Sequence, residues 1–176
     1  MSRVFIMGVA LLMLLLIGGC AKQEYETMMG QKDGEIERFV QNYNPEDVTY
    51  RLGVWRVELE RGSSTNVVEE GDSVYLNFVA HLFSAGIGAI FDTNIYEVAV
   101  ERELDLNEDY YTPLKSVVGK RKLIDGLDRG VVGMGEGSRS LIIFTAKYGF
   151  GEVQTSIIPK NSTLLYELSL LRVIKN

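Results

Sequence analysis

The sequence is poor in Cys and His, which build many metal sites and covalent catalytic centres. Its 176 residues include one Cys, one His, one Trp and three Pro. A single Cys excludes a disulfide within the chain. His81 has neither a second ligand at metal spacing nor a Ser or Cys nucleophile signature near it, and we predict a strand residue at the solvent edge of a sheet. We therefore predict no metal site at His81.

The N-terminal apolar run is too short for a typical membrane-spanning helix. It extends from Val4 to Ile17, fourteen residues, whereas a spanning helix needs roughly 20. Arg3 precedes the run, and two Gly and Cys20 follow it, an order typical of a signal peptide. Its end resembles the lipobox of bacterial lipoproteins, in which the Cys becomes the acylated first residue. We expect residues 1–19 to be a lipoprotein signal peptide and Cys20 the lipidation site; the alternatives are an ordinary signal with an incidental Cys and a retained anchor.

The charge balance is acidic. Without residues 1–19 the chain loses one Arg, which leaves 17 basic residues against 24 acidic ones and a net charge of −7. Such a protein is a poor ligand for nucleic acid or for an anionic membrane surface. The expected membrane contact is the lipid anchor at Cys20, and the expected location is the cell envelope of a bacterium, at the outer membrane. Residues 21–26 do not determine whether the protein is sorted to the inner or the outer membrane, or which face of the membrane it occupies.

The first periodic pattern after the signal peptide is helical. Residues 20–34 show no sustained period, and we interpret them as a flexible tether. A helix is predicted over residues 35–47, ending near Asn44-Pro45, because the residue before Pro disfavours the helical conformation. Packing of such a stripe on its own domain is commoner than docking a partner helix. The stripe consists of Ile36, Phe39, Val40 and Tyr43.

From Val48 onward alternating apolar residues predict strands. The longest alternation predicts a central strand with Val74, Leu76, Phe78, Ala80 and Leu82 on one face.

A short helix is predicted within Leu123 to Gly137, with Asp125 as its N-cap. Gly133, Gly135 and Gly137 follow this helix, so they indicate a turn; a phosphate-binding loop opens a helix instead.

The segment 95–112 is acidic and is predicted to be a solvated surface flap with a turn or two of helix. It lacks the alternating ligands and the Gly of an EF-hand loop, so a Ca²⁺ site is the weaker interpretation. Its acids are Glu97, Glu101, Glu103, Asp105, Glu108 and Asp109.

Five segments, in order, resemble the successive motifs of the FKBP-type peptidyl-prolyl isomerases. The resemblance covers Gly71 to about Val173. It implies an α+β fold in which a curved antiparallel sheet wraps around one short helix; residues 48–176 would form this domain, with residues 95–112 as an insertion flap and the amphipathic helix in front. It also implies isomerisation of X-Pro bonds without nucleophile, metal or cofactor. The segments are GDSVYLNF, IFDTN, LIDGLDRGVVGMGEG, AKYGFGE and IIPKNSTLLYELSLLRV.

The resemblance also implies a site. Phe91, Asp92 and Ile124 match the family pattern directly and are the expected catalytic set, with the main-chain N–H of Ile124 as the donor to a substrate carbonyl. The expected substrate-binding walls are Phe78, Leu114, Leu123, Leu127, Phe150, Ile158 and Tyr166.

Four of these positions depart from the family pattern. Phe78 and Phe150 stand where the family has Tyr, and each missing hydroxyl removes a hydrogen bond worth about 0.5–1.5 kcal/mol. Leu127 replaces the floor Trp and Leu114 replaces a wall Phe, so we expect weak activity.

Three functions remain open at this stage. The first is a lipid-anchored isomerase and folding helper acting on proline-containing polypeptides. The second is a non-catalytic binding module for an envelope protein partner, within an outer-membrane assembly. The third is a structural subunit with a filled pocket.

The lipid anchor gives a direct prediction. Cys20→Ser should move the protein from the membrane fraction to the soluble fraction, because the thiol that carries the lipid is lost. Fractionation followed by immunoblotting measures this. Retention of the variant in the membrane fraction would count against lipidation.

Overall fold

The computed structural model describes residues 22–104 and 110–176. The predicted signal peptide, Cys20, and Asp105, Glu108 and Asp109 of the flap lie outside these residues. None of the described helices combines the length and apolar character that a transmembrane span requires.

The described residues form seven strands and three α-helices. The helices are α1 (residues 22–40), α2 (Tyr96–Glu101) and α3 (Asp125–Gly130), and two short 3₁₀ turns span Pro45–Asp47 and Ala146–Tyr148. The strands are β1 (Val48–Arg51), β2 (Val54–Glu60), β3 (Ser73–Phe83), β4 (Ile87–Thr93), β5 (Leu114–Val117), β6 (Arg139–Phe144) and β7 (Leu164–Ile174). All strand pairs are antiparallel, in the order β1-β2-β6-β7-β3-β4, with β5 also pairing β3. The predicted α+β fold is confirmed.

Strand β3 is central, as its alternation predicts. One edge pairs with β7 throughout, and the other edge is shared between β5 and β4. Asn94 closes the gap between these two partners: its Oδ1 accepts from the Phe78 N–H at 2.7 Å and its Nδ2 donates to the Leu76 carbonyl at 2.9 Å. Thr93 Oγ1 donates to the Phe78 carbonyl at 2.7 Å. These bonds satisfy backbone groups that no strand pairs at this point.

Helix α3 lies against one face of the sheet. A Cβ on Gly126 would lie 2.4 Å from the ring of Phe144, so only a glycine permits this approach. Leu127 is buried in the core beneath the helix. The N-cap is Ile124, which corrects the sequence prediction: Asp125 is the first helical residue, and its carboxylate instead forms an ion pair with Arg129 at 2.9 Å.

Helix α1 covers the opposite face. Ile142 and Phe144 belong to the core under α3, whereas Leu141 and Ile143, the alternate residues of β6, belong to a second cluster with α1. Alternate residues of a strand point to opposite faces, so the sheet is buried on both sides. The predicted stripe of α1 packs on its own domain, through Ile36, Phe39, Val40 and Tyr43.

The prediction of a flexible tether is wrong for residues 22–34, because they belong to α1. Three contacts hold this part of the helix on the domain. Met29 is 3% exposed, Asp33 Oδ1 accepts from the indole N–H of Trp55 at 2.9 Å, and Glu26 pairs with Lys147 Nζ at 3.1 Å. Two glycines and few apolar residues weaken the local helical signal here, and these partners come from distant parts of the chain.

His81 is buried, at 5% exposure, so its prediction as a solvent-edge residue is wrong. Its strand partner on β7 is Leu165, which lies in the cluster beneath α1. Its Nδ1 lies 3.1 Å from the Gly88 carbonyl, and its Nε2 lies 3.1 Å from a carboxylate oxygen of Glu167. His81 therefore lies beneath α1, where neighbouring residues cover the side chain predicted to face solvent.

The glycines after α3 form a packed turn, as predicted. Gly135 forms a bridge with Val67, and a Cβ on it would lie 2.3 Å from the carbonyl oxygen of Ser63. Glu136 in the same turn accepts from the Val173 N–H at 2.7 Å.

In the acidic flap, residues 95–112, α2 supplies the expected short helix.

One added methyl group should have opposite effects at two helical glycines. Gly126→Ala should lower the free energy of unfolding by about 1–3 kcal/mol, because its Cβ would overlap Phe144. Gly34→Ala is the matched control in α1. It should raise the free energy of unfolding by about 0.5–1 kcal/mol, because no atom lies within 4 Å of its Cβ. Urea unfolding measures both, and equal effects would contradict the close contact of α3.

Candidate active site

Phe91 and Asp92 face the same side of the sheet because β4 bulges between them. Asp92 pairs with Ala80 and Ile90 pairs with His81, which leaves Phe91 as an extra residue. Successive side chains of a regular strand point to opposite faces, and a bulge re-aims one of them. Phe91 is thus buried in the core under α3, while Asp92, directly opposite the buried Ala80, remains exposed at its edge.

Four aromatic rings meet under α3, with Tyr166 at their centre. Phe144 stacks on Tyr166 at 5.9 Å between ring centroids, with 13° between the planes. Phe91 stands perpendicular to Tyr166 at 6.1 Å, and Phe78 lies tilted at 5.8 Å. Offset and edge contacts of this kind stabilise by about 0.5–1.5 kcal/mol each beyond area burial. The rings form a rigid apolar wall.

Most of the predicted wall residues join this cluster. Leu123, Leu127 and Ile158 are buried in the same core. Partly exposed residues packed against it are Phe78, Leu114 and Ile124.

Phe150 is the exception. It follows the 3₁₀ turn Ala146–Tyr148, is 37% exposed, and does not belong to the described core cluster. Val153 and Ile157 in the same loop are also exposed. The structure therefore places Phe150 on an exposed loop with an apolar outer surface, outside the buried core.

The main-chain N–H of Ile124 is available to a ligand. Ile124 is extended, with φ −61° and ψ 146°, and its carbonyl accepts from the N–H groups of Leu127 and Asp128 at 2.9 and 3.0 Å. No hydrogen bond among residues 22–104 and 110–176 uses its own N–H. Since Ile124 also packs against the aromatic core, this donor lies at the edge of an apolar surface.

Two polar groups at the site interact electrostatically. Partial burial raises the pKa of the Asp92 carboxyl, and the hydrogen bond from the Thr93 N–H opposes that rise. Burial also raises the pKa of the Tyr166 hydroxyl, and the negative charge of Asp92 adds to it. The hydroxyl of Tyr166 therefore stays protonated, as a hydrogen-bond donor.

The sequence model of the family described as FKBP-type peptidyl-prolyl cis-trans isomerase matches residues 64–171. The chain belongs to this family.

Individual relatives show how far the similarity to this FKBP-type chain extends. Peptidyl-prolyl cis-trans isomerase Fkbp12 of Drosophila melanogaster is 35% identical over 123 residues, which cover 69% of this chain and 99% of that protein. FK506-binding protein 5 of Dictyostelium discoideum is 28% identical over 115 residues, 65% of this chain but only 6% of its own length. The crystal structure of FkpA from Escherichia coli aligns over 98% of this chain and 73% of that one, with a TM-score of 0.58 and 19% identity, a similarity of fold alone.

The FKBP-type site contains polar residues that the sequence reasoning missed. Thr93 and Asn94 hold the end of β4 against β3 and so position Asp92. The sequence shows them only as the end of the IFDTN turn. Their function depends on β3 changing partners at this point, and a single local pattern does not contain that.

The described ranges contain no group of three or more His, Cys, Asp or Glu side chains arranged to hold a metal ion. The chemistry that the site offers is apolar packing, one free backbone donor and the pair of Tyr166 and Asp92.

The charge on Asp92 should lower stability at neutral pH. Folding raises the pKa of the Asp92 carboxyl, so the native state binds the carboxyl proton more tightly than the unfolded state does. The destabilisation caused by the charged carboxylate is therefore complete at pH values above the folded-state pKa. Asp92→Asn should therefore raise the melting temperature at pH 7. The gain should shrink as the pH falls through the folded pKa and vanish near about pH 2.5, where the carboxyl is protonated in both states. Thermal scans at both pH values measure it.

Glu97→Gln is the control for this comparison, because Glu97 is an exposed acid of α2. It should leave the melting temperature nearly unchanged at both pH values. A gain from Asp92→Asn that persists unchanged at the lower pH would contradict the assigned shift.

Proposed function

We propose that this protein is a peptidyl-prolyl cis-trans isomerase of low activity, anchored through lipidated Cys20 in the bacterial cell envelope and acting on proline-containing polypeptides. The observation that carries the proposal is the apolar wall around Tyr166, with Asp92 at its edge and the unused Ile124 N–H beside it.

This arrangement suits rotation about an X-Pro bond. The barrier of roughly 18–20 kcal/mol arises from amide resonance, which is lost when the amide twists. A dry aromatic pocket disfavours the charge-separated planar amide relative to the less polar twisted form, so it stabilises the transition state selectively. The Ile124 N–H would hold a substrate carbonyl while the bond turns. No nucleophile takes part.

The residues that line the candidate site support the proposal of low activity. Leu127 and Leu114 provide aliphatic surface where the family resemblance implies aromatic rings, and Phe78 brings a ring without a hydroxyl. Phe150 lies on the exposed loop. Each change reduces contact with the proline ring or removes a donor to the peptide, and together they weaken binding of the transition state.

Support for the membrane anchor comes from the sequence, and α1 adds a consequence. Residue 22 already belongs to a helix that packs on the domain, and it is two residues from Cys20. A lipid on Cys20 would then hold the catalytic domain close to the membrane surface, with little free chain between them. Its substrates would be chains that emerge at or fold on that surface, at the outer membrane.

The test is exchange spectroscopy by NMR on a short X-Pro peptide, with the full-length protein in detergent micelles. The wild type should accelerate exchange above the uncatalysed rate. Phe91→Ala and Asp92→Ala should each reduce that acceleration, with the loss of the ring costing about tenfold or more because it opens the apolar wall. Phe39→Ala is the matched control, because it also removes an aromatic ring, but one that α1 places on the opposite face of the sheet.

Two results would overturn parts of the proposal. No acceleration by the wild type would refute the isomerase and favour the binding module, whose surface would include the exposed Phe150, Val153 and Ile157. Unchanged rates in both site variants would refute the assignment of Phe91 and Asp92 to the active site, but not the isomerase activity.

A further inference from the structure

Asp92, Ala80 and Tyr166 form a row across three neighbouring strands. Asp92 of β4 is directly opposite Ala80 of β3, and Ala80 is directly opposite Tyr166 of β7. Directly opposed residues share a face, and neighbouring strands lie about 4.8 Å apart. The middle side chain is a single methyl group. The small side chain of Ala80 therefore leaves the longer side chain of Tyr166 room to extend over it, in the direction of Asp92.

The ring of Tyr166 is fixed on three sides, and its hydroxyl is unused. Phe144, Phe78 and Phe91 surround the ring, and the side chain is 4% exposed. Within the described part of the chain the hydroxyl forms no hydrogen bond. The hydroxyl is not one of the buried polar atoms that lack a partner, so it reaches solvent at the edge of the site, where an acceptor on a ligand can bind it. The electrostatic influence of Asp92 on this hydroxyl is consistent with its lying toward the edge of the site.

We propose that the Tyr166 hydroxyl is a second donor to the bound peptide, binding a carbonyl oxygen next to the proline while the Ile124 N–H binds another. This inference rests on the proposed function, since it concerns the same site. It gives the pocket one hydroxyl in place of the two that are missing at Phe78 and Phe150. The substrate it selects is an extended peptide that offers two carbonyl acceptors around an X-Pro bond.

The rigid ring makes this donor specific. Because the ring is held by its three aromatic neighbours, the hydroxyl is positioned before the peptide arrives, and little side-chain entropy is lost on binding. Burial, with the charge of Asp92 as a smaller cause, raises the pKa of the Tyr166 hydroxyl, so the group donates over the whole working pH range.

The test uses Tyr166→Phe, which removes the hydroxyl and keeps the ring. An X-Pro peptide labelled with ¹³C at the carbonyls on both sides of the proline nitrogen is bound to saturation, and the carbonyl shifts are read together with the exchange rate. In the wild type, hydrogen bonding should move two carbonyl signals downfield. Tyr166→Phe should abolish one of these movements and lower kcat/KM about two- to tenfold, the effect expected for one hydrogen bond.

Tyr75→Phe is the matched control, because Tyr75 lies on β3 outside the aromatic cluster, with its ring near Lys115. It should leave both carbonyl shifts and the rate unchanged. Melting temperatures of the two variants should match that of the wild type, which separates a lost donor from a disturbed core.

The outcomes distinguish this proposal from the function on which it rests. A wild type that binds the peptide and shifts both carbonyls without catalysis refutes the isomerase alone. Unchanged carbonyl shifts in Tyr166→Phe refute the second donor alone. A variant that changes only the titration of Asp92 shows that the hydroxyl serves that carboxylate and also overturns the proposal. A wild type that binds no peptide overturns both.

Discussion

The contact between Gly126 and Phe144 is the constraint on which the rest of the site depends. Phe144 touches α3 on one side and stacks on Tyr166 on the other. The distance of the helix from the sheet therefore sets the plane of the central ring, and with it the positions of Phe78 and Phe91. It also sets the height of Ile124, whose backbone donor lies at the start of that helix. A side chain at Gly126 would disturb the wall and the donor together.

The two faces of the sheet serve different purposes. The face under α3 carries the candidate site, and the face under α1 carries a mixed cluster in which Val57, Leu141 and Ile143 accompany the rings of Phe39 and Phe83. Burial on both faces gives the sheet a large apolar area removed from water. The site can therefore retain a feature that lowers stability, the partly buried carboxylate of Asp92.

The polar groups of the pocket explain why its function is difficult to judge from single substitutions. Phe78 and Phe150 each lack a hydroxyl, yet a hydroxyl appears on the neighbouring strand at Tyr166, whose ring lies 5.8 Å from that of Phe78. Activity depends on where donors lie in space, and β3 and β7 are direct neighbours. A missing group in one strand can be replaced from the next.

The sequence by itself determined the order of the family motifs, the buried face of β3 and the apolar stripe of α1, because each depends on residues that are neighbours along the chain. The family resemblance also predicts that Phe91, Asp92 and Ile124 form one catalytic set, and this assignment stays a prediction. Tertiary structure alone decided the helical residues 22–34, the burial of His81 and the bulge that turns Phe91 and Asp92 to one face. These features depend on strand register and on partners far apart in sequence, so no local period contains them. The row that joins Asp92 to Tyr166 across Ala80 belongs to this second group, since three strands separated by long loops must pair before it exists.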